Sequence, residues 1–293
     1  MTDQAQSLRQ LVAGQNRKLS DRGTGTARII TVCSGKGGVG KSNFTLNFAL
    51  TLKSMGKRVL LFDADIGMAN LDVLMGVSAE YNLYHLLGRE ASIEQIIQTG
   101  PNHLPFIAGG SGLEELFSLS ESDLNYFTSQ IAAIADEMEY ILFDTGAGLS
   151  KETMNFIASA DDCLVVTTPE PTAITDAYAL MKVVHTSHPS IVFKLIINQV
   201  SNIKEATATS DKIRLTARRF LQVDIPFLGY ISSDNHVVQA VKRQIPFSLA
   251  YPNSAAAKDL HRLTLRYLSS DRSSASAELQ GIKGFLSKWL HRI

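Results

Sequence analysis

The feature that most constrains the fold of this chain is a glycine-rich run, GKGGVGKS, which extends from Gly35 to Ser42. An apolar segment at 28–33 precedes it, and a segment with helical character at 41–55 follows it. Glycines allow a backbone to approach phosphate oxygens closely, and a helix N-terminus adds positive potential. A strand, this loop and a helix in that order form a phosphate cradle, in which Lys41 would hold the β- and γ-phosphates and Ser42 would bind Mg²⁺.

Short apolar runs and helical patterns alternate between residues 28 and 268. The apolar runs are continuous, which is typical of strands that are buried on both faces of a sheet. The predicted strands lie at 29–32, 59–62, 140–143, 163–166, 195–197 and 228–231, and the predicted helices at 41–55, 121–137, 150–159, 172–187, 204–221, 235–243 and 254–268. We therefore expect a doubly wound α/β domain with a mainly parallel sheet, helices on both faces, and ligands at the carboxyl ends of the strands.

Composition and charge argue against several other classes. Lys plus Arg and Asp plus Glu number 28 each, so we expect no specific nucleic-acid binding. The two cysteines, Cys33 and Cys163, lie within apolar runs, which predicts buried free thiols rather than a disulfide or a metal site. The first residues lack the pattern of a secretory signal, and no apolar stretch reaches the ~20 residues of a membrane span. We expect a cytoplasmic location in which any membrane contact is peripheral.

An ordinary phosphate loop does not need the additional lysine at position 36. With that lysine, the run resembles the deviant Walker A motif of the MinD/ParA class of P-loop ATPases. In that class the first lysine reaches across a homodimer to the nucleotide of the partner. The resemblance therefore implies that Lys36 acts in trans during catalysis and that ATP hydrolysis is coupled to homodimer formation.

Two acidic segments follow predicted strands and extend this resemblance. The segment 63–70 is similar to switch I of the class, and 144–148 is similar to its Walker B strand end with switch II. The resemblance implies that Asp65 orients the attacking water and contributes to the metal site, and that Asp144 holds Mg²⁺ through water. Asp63 is expected to be structural or to support the metal. Gly146 stands where relatives often carry Ala or Pro, which implies a looser switch.

The sequence favours adenine over guanine. Asn198, after the predicted strand 193–197, resembles the adenine-reading asparagine of MinD-like ATPases, and no Asn-Lys-x-Asp guanine motif follows the strand. The loop 229–234 is expected to close over the base. A nitrogenase-type reductase shares this phosphate loop, but it needs a cysteine pair for an iron–sulfur cluster, and that pair is absent. The expected ligands are ATP or ADP with Mg²⁺, and the predicted nucleotide-binding residues are Gly35, Lys36, Gly37, Gly38, Val39, Gly40, Lys41, Ser42, Asn43 and Asn198.

The carboxyl-terminal residues differ in character from the ATPase domain, 28–268. Small polar residues at 269–278 predict a linker, and 279–293 predicts an amphipathic helix. At 100° per residue, its large apolar side chains fall within about 140° of arc. Such a helix fits an interfacial anchor to anionic phospholipid, with docking onto the core of the same chain or onto a partner groove as alternatives. The predicted membrane-contacting residues are Ile282, Phe285, Leu286, Trp289, Leu290 and Ile293.

The amino-terminal segment, 1–27, narrows the resemblance further. Its sequence DQAQSLR resembles the Asp-Gln-Ala-x-x-Leu-Arg segment of the FlhG family (also called YlxH or FleN), MinD-like ATPases that control flagellar number and placement. In that family the segment stimulates the GTPase FlhF. The implied partner-binding residues are Asp3, Gln4, Ala5, Leu8 and Arg9. A flagellar C-ring component is a further partner that the resemblance implies.

Two alternatives remain open at the level of sequence. One is a cell-division site regulator of the MinD type, for which a long amino-terminal extension has no use. The other is a ParA-type ATPase that partitions DNA or cargo, which should present a basic DNA-binding face.

Overall fold

A computed structural model describes residues 27–65, 70–109 and 126–273, apart from 127, 128, 133 and 136, together with 282, 284, 285 and 288. The predictions for the amino-terminal segment therefore lie outside the described residues, including those for Asp3, Gln4, Ala5, Leu8 and Arg9. So do the predictions for Leu286, Trp289, Leu290 and Ile293 in the terminal helix.

Eight strands form a single sheet in the order β3-β4-β2-β5-β1-β6-β7-β8. The strands are β1 Arg28–Ser34, β2 Val59–Ala64, β3 Ile97–Thr99, β4 Pro105–Ile107, β5 Tyr140–Ala147, β6 Asp162–Thr167, β7 Phe193–Val200 and β8 Phe227–Ser232. The pairings between neighbouring strands are parallel except for β3 with β4, which is antiparallel. The expectation of a mainly parallel, doubly wound α/β fold is confirmed.

The helices are α1 Lys41–Ser54, α2 Leu71–Met75, α3 Leu83–Leu87, α4 Ile93–Ile96, α5 Lys151–Ser159, α6 Pro171–Ser187, α7 Ile203–Leu221, α8 Asn235–Lys242, α9 Phe247–Ala250 and α10 Ala255–Ser273. Of these, α1, α5, α6, α7 and α8 begin and end within one residue of their predicted bounds, whereas the short helices α2, α3, α4 and α9 were not predicted. Residues 126, 129–132, 134 and 135 are also helical, within the predicted range 121–137. Two short strands, β3 and β4, were not predicted, because three residues carry too little pattern and β4 begins with a proline.

The predicted start of the linker at residue 269 is wrong. Helix α10 continues through Ser273, five residues beyond the predicted helix end at 268. The hydroxyl of Ser269 donates a hydrogen bond to the carbonyl of Leu265, and that of Ser270 donates to the carbonyl of Tyr267. Small polar residues suggest a linker when they are counted alone, but their hydroxyls can bond to the carbonyls of a preceding helical turn.

The sheet is buried on both faces, and successive residues of β1 point into different clusters. Ile30 packs on one side with Phe44 and Phe48 of α1 and Tyr267 of α10. Ile29 packs on the other side with Phe62 and Phe143. Further along that side, Cys33 and Cys163 pack against α6 and α7 as buried free thiols, as predicted. With both faces covered, the polar groups of the strands collect at the strand ends.

Two residues of the predicted terminal helix pack into this core. Ile282 is 3% exposed and Phe285 is 1% exposed. The ring of Phe285 stacks on Phe143, with ring centroids 4.7 Å apart, and its centroid lies 6.1 Å from that of Phe156. In this structure these two side chains therefore adopt the docked arrangement that the sequence left open as an alternative. Within the described parts of the chain, no helix is both long and apolar enough to span a membrane.

Candidate nucleotide-binding site

The glycine-rich loop connects β1 to α1 and borders a cavity of 630 Å³. The rest of the cavity wall comes from the ends of β2 and β5 and from the first turn of α5. Gly40 has a φ of +85°, which residues with a Cβ rarely adopt. A Cβ at Gly35 would lie 2.2 Å from the backbone carbon of Asp176, so this glycine permits α6 to pack against the loop. The two glycines thus fix the shape of the loop and its support.

The structure brings Lys41, Ser42 and Asp144 together. The ammonium of Lys41 lies 3.0 Å from Oδ1 of Asp144 and 3.3 Å from Oγ of Ser42. Lys41 and Asp144 are both buried, so the ion pair is held in a region of low dielectric. Sequence reasoning missed Thr45, whose hydroxyl donates to the same Asp144 oxygen at 2.8 Å. Its position four residues after Lys41, on one helix face, was the available signal.

The chemistry of these groups fits a nucleotide phosphate with Mg²⁺. The buried ammonium of Lys41 and the amide groups at the start of α1 suit phosphate oxygens. The hydroxyl of Ser42 and the carboxylate of Asp144 are hard oxygen ligands, which Mg²⁺ prefers. Among the described residues, no group of three or more His, Cys, Asp or Glu side chains forms a metal site by itself.

Asp63 lies beside Asp144 in the paired register of β2 and β5. Burial, and then the charge of Asp144, raises the pKa of Asp63 to about 7. Its carboxylate accepts backbone N–H groups of Asp65, Asn70 and Leu71 at 3.2, 3.0 and 3.1 Å. These contacts connect the two described ends of the switch I segment, in keeping with the structural role expected for Asp63.

Asp65 lines the same cavity, on the side of switch II. A Cβ built on Gly146 would lie 3.5 Å from Oδ1 of Asp65 and 3.6 Å from the hydroxyl of Thr153, which is ordinary contact. An alanine at position 146 would therefore fit without displacing Asp65. The proposed action of Asp65 on a water molecule and a metal stays a prediction.

Lys36 is held by its own chain. Its ammonium lies 2.9 Å from Oε2 of Glu170 and 3.1 Å from the hydroxyl of Thr172, at the start of α6. The Lys36 side chain is 39% exposed and that of Glu170 is 63% exposed. An exposed pair contributes only about 0–1 kcal/mol, so Lys36 can exchange this partner for another. The predicted action in trans needs a second copy of the chain and stays a prediction.

Asn198 contacts the loop itself. Its Nδ2 donates to the carbonyl of Val39 at 2.8 Å. This hydrogen bond connects the end of β7 to the turn of the loop, and the reading of adenine by Asn198 stays a prediction. In the predicted base loop, the N–H and hydroxyl of Ser232 donate to the buried Asp259 of α10 at 2.9 and 2.6 Å. Residues 229–232 of the predicted loop belong to strand β8, and its last residue, Ser232, is fixed to α10 by these two hydrogen bonds.

Comparison with known proteins agrees with this geometry. A family model described as an AAA domain matches residues 27–197. The chain is 33% identical to the antiactivator FleN of Pseudomonas aeruginosa over 78% of this chain and 82% of FleN. It is 34% identical to the flagellum site-determining protein YlxH of Helicobacter pylori over 99% of both chains. The septum site-determining protein MinD of Pyrococcus horikoshii, solved with Mg-ADP, superposes with a TM-score of 0.67 at 25% identity, covering 86% of this chain and 99% of that one.

Proposed function

Because the chain belongs to the MinD/ParA-type ATPase family that includes FleN and YlxH, we propose that it is a Mg²⁺-dependent ATPase that regulates the number and placement of flagella. The observation that carries the ATPase assignment is the cluster that the buried Lys41 and Asp144 form with the half-buried Ser42 at the phosphate loop. Identities of 33% and 34% over most of the chain to two relatives with flagellar names support the flagellar role over cell division or DNA partition.

The roles of the site residues follow from their positions. Lys41 binds the β- and γ-phosphates, and Ser42 and Asp144 hold the metal. Mg²⁺, when bound, would neutralise charge on the phosphate oxygens and so favour the attack of water on the γ-phosphorus, with ADP as the leaving group. Asp65 accepts hydrogen bonds from that water and orients it. A relative solved with Mg-ADP supports this choice of ligands.

The additional lysine of the loop, Lys36, makes hydrolysis dependent on a dimer. In a single chain, Lys36 is bound to the exposed Glu170, away from the buried Lys41–Asp144 pair. In an ATP-bound homodimer, Lys36 leaves Glu170 and contacts the nucleotide of the partner subunit. Hydrolysis then separates the subunits.

Measurement of the molecular mass in solution tests whether ATP causes the chain to form a dimer. Asp65→Ala should keep nucleotide binding and lose hydrolysis, so light scattering with Mg-ATP should show a persistent dimer. Lys36→Ala is the matched control, and it should remain monomeric with the same nucleotide. A monomeric Asp65→Ala variant under saturating ATP would contradict the mechanism.

The carboxyl-terminal helix provides the membrane switch. Burial of Ile282 and Phe285 favours the docked arrangement by roughly 1.5–3 kcal/mol for each side chain. The same apolar face would insert into an anionic membrane if dimer formation released it. Two copies in one dimer bind far better than one, because the second helix binds intramolecularly. We place the protein in the cytoplasm and, in its ATP state, at the cytoplasmic face of the cell membrane.

Sedimentation with anionic liposomes tests the switch. Wild-type protein should sediment more with ATP than with ADP, and removal of 279–293 should abolish sedimentation while sparing ATP binding. Phe156→Ala removes part of the surface on which Phe285 docks without changing the helix, so it should increase sedimentation in ADP. Equal sedimentation of the wild type in both nucleotides would contradict the switch.

The amino-terminal segment would act on the GTPase FlhF. Residues 1–9 carry the Asp-Gln-Ala-x-x-Leu-Arg pattern, in which Gln4 would enter the partner's active site. Their removal should leave ATP hydrolysis intact and end the stimulation of FlhF. Gln4→Ala, which keeps the rest of the segment, should reproduce this loss. Unchanged stimulation after the deletion would refute the assignment.

A further inference from the structure

A second cavity, of 480 Å³, lies between the last turns of α1, the short helix α9 and the first half of α10. We call it the α10 cleft. Its volume falls within the range of about 300–1,000 Å³ that is typical of small-molecule sites. It shares no lining residue with the nucleotide cavity, and the proposed ATPase reaction uses none of its residues.

One wall of the α10 cleft is cationic. Lys258, His261 and Arg262 lie three and four residues apart on α10, so they share one face of the helix, and all three are exposed. Arg262 contacts the buried Asp259, but its side chain is 63% exposed, and a guanidinium has five N–H donors. None of the described residues that line the cleft carries a carboxylate side chain. The cleft therefore favours an anion.

The remaining walls combine apolar side chains with an unpaired hydroxyl. The apolar surface comes from Leu50 of α1, Leu249 of α9 and Ala257 of α10. The hydroxyl of Ser248 is buried and has no hydrogen-bond partner within the described parts of the chain. Buried polar groups normally have a partner, so this hydroxyl points to a ligand that the chain itself does not supply. A phosphate group with an apolar remainder fits these surroundings, because ammonium and guanidinium groups bind phosphate oxygens strongly.

One buried side chain connects the α10 cleft to the nucleotide cavity. Oδ1 of Asn47 accepts the N–H of Ser248 at 2.9 Å. Nδ2 of the same side chain donates to the carbonyl and to Oδ1 of Asn43, at 2.8 and 2.9 Å. Asn43 lines the nucleotide cavity in the first turn of α1, and Asn47 is fully buried. A shift of α9 at the cleft would therefore reach Asn43 through two hydrogen-bonded contacts.

We propose that the α10 cleft is an effector site for a small molecule that carries a phosphate group and an apolar part, either free in solution or as the head group of a lipid. Its occupancy changes nucleotide affinity through Asn47. The site itself stands apart from the proposed ATPase function, whereas the coupling rests on it. Coupling between two sites is reciprocal and typically amounts to about 5- to 150-fold in affinity.

Calorimetric titration with hexyl phosphate tests the site, in the presence of saturating Mg-ADP so that the phosphate loop is occupied. Wild-type protein should bind hexyl phosphate, and should bind inorganic phosphate more weakly because that ion lacks the apolar part. Lys258→Glu should weaken hexyl phosphate by at least ~10-fold, through loss of a charge-assisted contact. Lys212→Glu makes the same charge change on the exposed face of α7, outside the cleft, and should bind as the wild type does.

Two results would overturn the site. One is a wild type that does not bind hexyl phosphate, and the other is an equal loss of affinity in Lys258→Glu and Lys212→Glu, which would reduce the binding to the net charge of the protein. Sedimentation with vesicles that contain phosphatidic acid identifies the source of the phosphate. A lipid head group is the source if Lys258→Glu sediments less than Lys212→Glu, and a free phosphate compound is the source if the two variants sediment equally.

The coupling is tested by measuring ADP affinity with and without saturating hexyl phosphate. The two values should differ at least ~5-fold in the wild type. Asn47→Asp keeps an acceptor for the N–H of Ser248 and loses the donor to Asn43, so it should bind hexyl phosphate and show one ADP affinity in both conditions. Asn47→Ala, which introduces no charge into the core, should behave in the same way, and thermal melting verifies that both variants fold.

Each outcome of this measurement has one meaning. A wild type with the same ADP affinity in both conditions would overturn the coupling, and so would a full response in the two Asn47 variants. A wild type that binds hexyl phosphate in a manner sensitive to Lys258→Glu but does not bind ADP would refute the ATPase assignment and retain the effector site.

Discussion

Two buried groups of charged residues lie at opposite ends of the same sheet. Asp162, at the amino end of β6, is surrounded by Arg28 of β1 and Lys194 of β7. Asp63 and Asp144 lie near the carboxyl ends of β2 and β5. All three carboxylates are almost fully buried, so the difference between the groups arises from their partners.

At the amino end, two cations compensate the negative charge of the Asp162 carboxylate. Asp162 accepts hydrogen bonds from Arg28 at 2.7 Å, Lys194 at 2.6 Å and the hydroxyl of Tyr267 at 2.7 Å. Burial alone would raise the pKa of Asp162, but the hydrogen bonds and charges of Arg28 and Lys194 lower it below its usual range. This group fastens helix α10 to the sheet through the hydroxyl of Tyr267.

The group at the carboxyl end has excess negative charge. The ammonium of Lys41 pairs with Asp144, and burial together with the charge of Asp144 raises the pKa of Asp63 to about 7. A bound divalent cation would stabilise a site with excess negative charge, whereas it would not stabilise the group around Asp162. A buried charged residue is therefore a poor guide to function on its own. The two ends of the sheet differ in how far nearby cations compensate the buried carboxylates.

The largest expected effect comes from removal of the cation at the functional end. Lys41→Ala should abolish ATP hydrolysis and weaken ADP binding at least ~100-fold, because a charge-assisted contact to phosphate is lost in a dry site. Lys36→Ala is the matched control in the same loop, and it should lose hydrolysis while ADP affinity is retained. Equal loss of ADP affinity in both variants would remove the distinction between the two lysines.

At the other end, the expected effect is on stability. Asp162→Ala removes the buried carboxylate that Arg28 and Lys194 share, which should lower the free energy of unfolding by about 3–5 kcal/mol. Urea denaturation measures this loss, and ADP affinity of the folded protein should be unchanged. Asp224→Ala breaks an exposed ion pair with Arg218 and serves as the control that should have almost no effect. A weakened ADP affinity in Asp162→Ala would contradict the purely structural role.

The titration of Asp63 provides a further test of the difference between the two groups, because it makes the free energy of unfolding depend on pH. The folded-state pKa of about 7 lies above the ordinary value of 3.8, so the folded protein takes up a proton that the unfolded chain does not. The associated stability is complete below 3.8 and is lost as pH rises through 7. Without Mg²⁺, unfolding free energy should fall from pH 5 to pH 8 by up to about 1.4 kcal/mol per pH unit. Asp63→Asn should lack this component, and identical pH profiles in urea titrations would refute it.

The sequence predicted the functional end better than the structural end, for a physical reason. The phosphate loop follows a local rule, and parallel strands bring their carboxyl ends together, so Lys41 and Asp144 could be expected to meet. Arg28, Asp162 and Lys194 are separated by 134 and 32 residues. Each resembles an ordinary strand boundary, and only the strand order β1-β6-β7 brings them together.

The terminal helix shows a second limit of sequence reasoning. Its periodicity identifies an apolar face but does not identify the surface that covers it. A membrane, a groove on a partner protein and the core of the same chain each offer an apolar environment, so each was compatible with burial of Ile282 and Phe285. The stacking of Phe285 on Phe143 depends on a surface formed by distant strands and helices. Likewise, Gln199 has a φ of +58° where the register of β7 with β8 shifts between Ile197 and Val200, and a sequence pattern does not encode this irregularity.

The smallest expected effect concerns the ion pair between Lys36 and Glu170. Both side chains are exposed, so Glu170→Gln should lower the free energy of unfolding by less than about 1 kcal/mol. Urea denaturation at low and high salt should show that even this difference disappears when the charges are screened. A loss as large as that expected for Asp162→Ala would mean that Lys36 is fixed to its own chain. A small loss would leave Lys36 able to reach a second subunit, in contrast to Lys41, which the buried Asp144 holds in place.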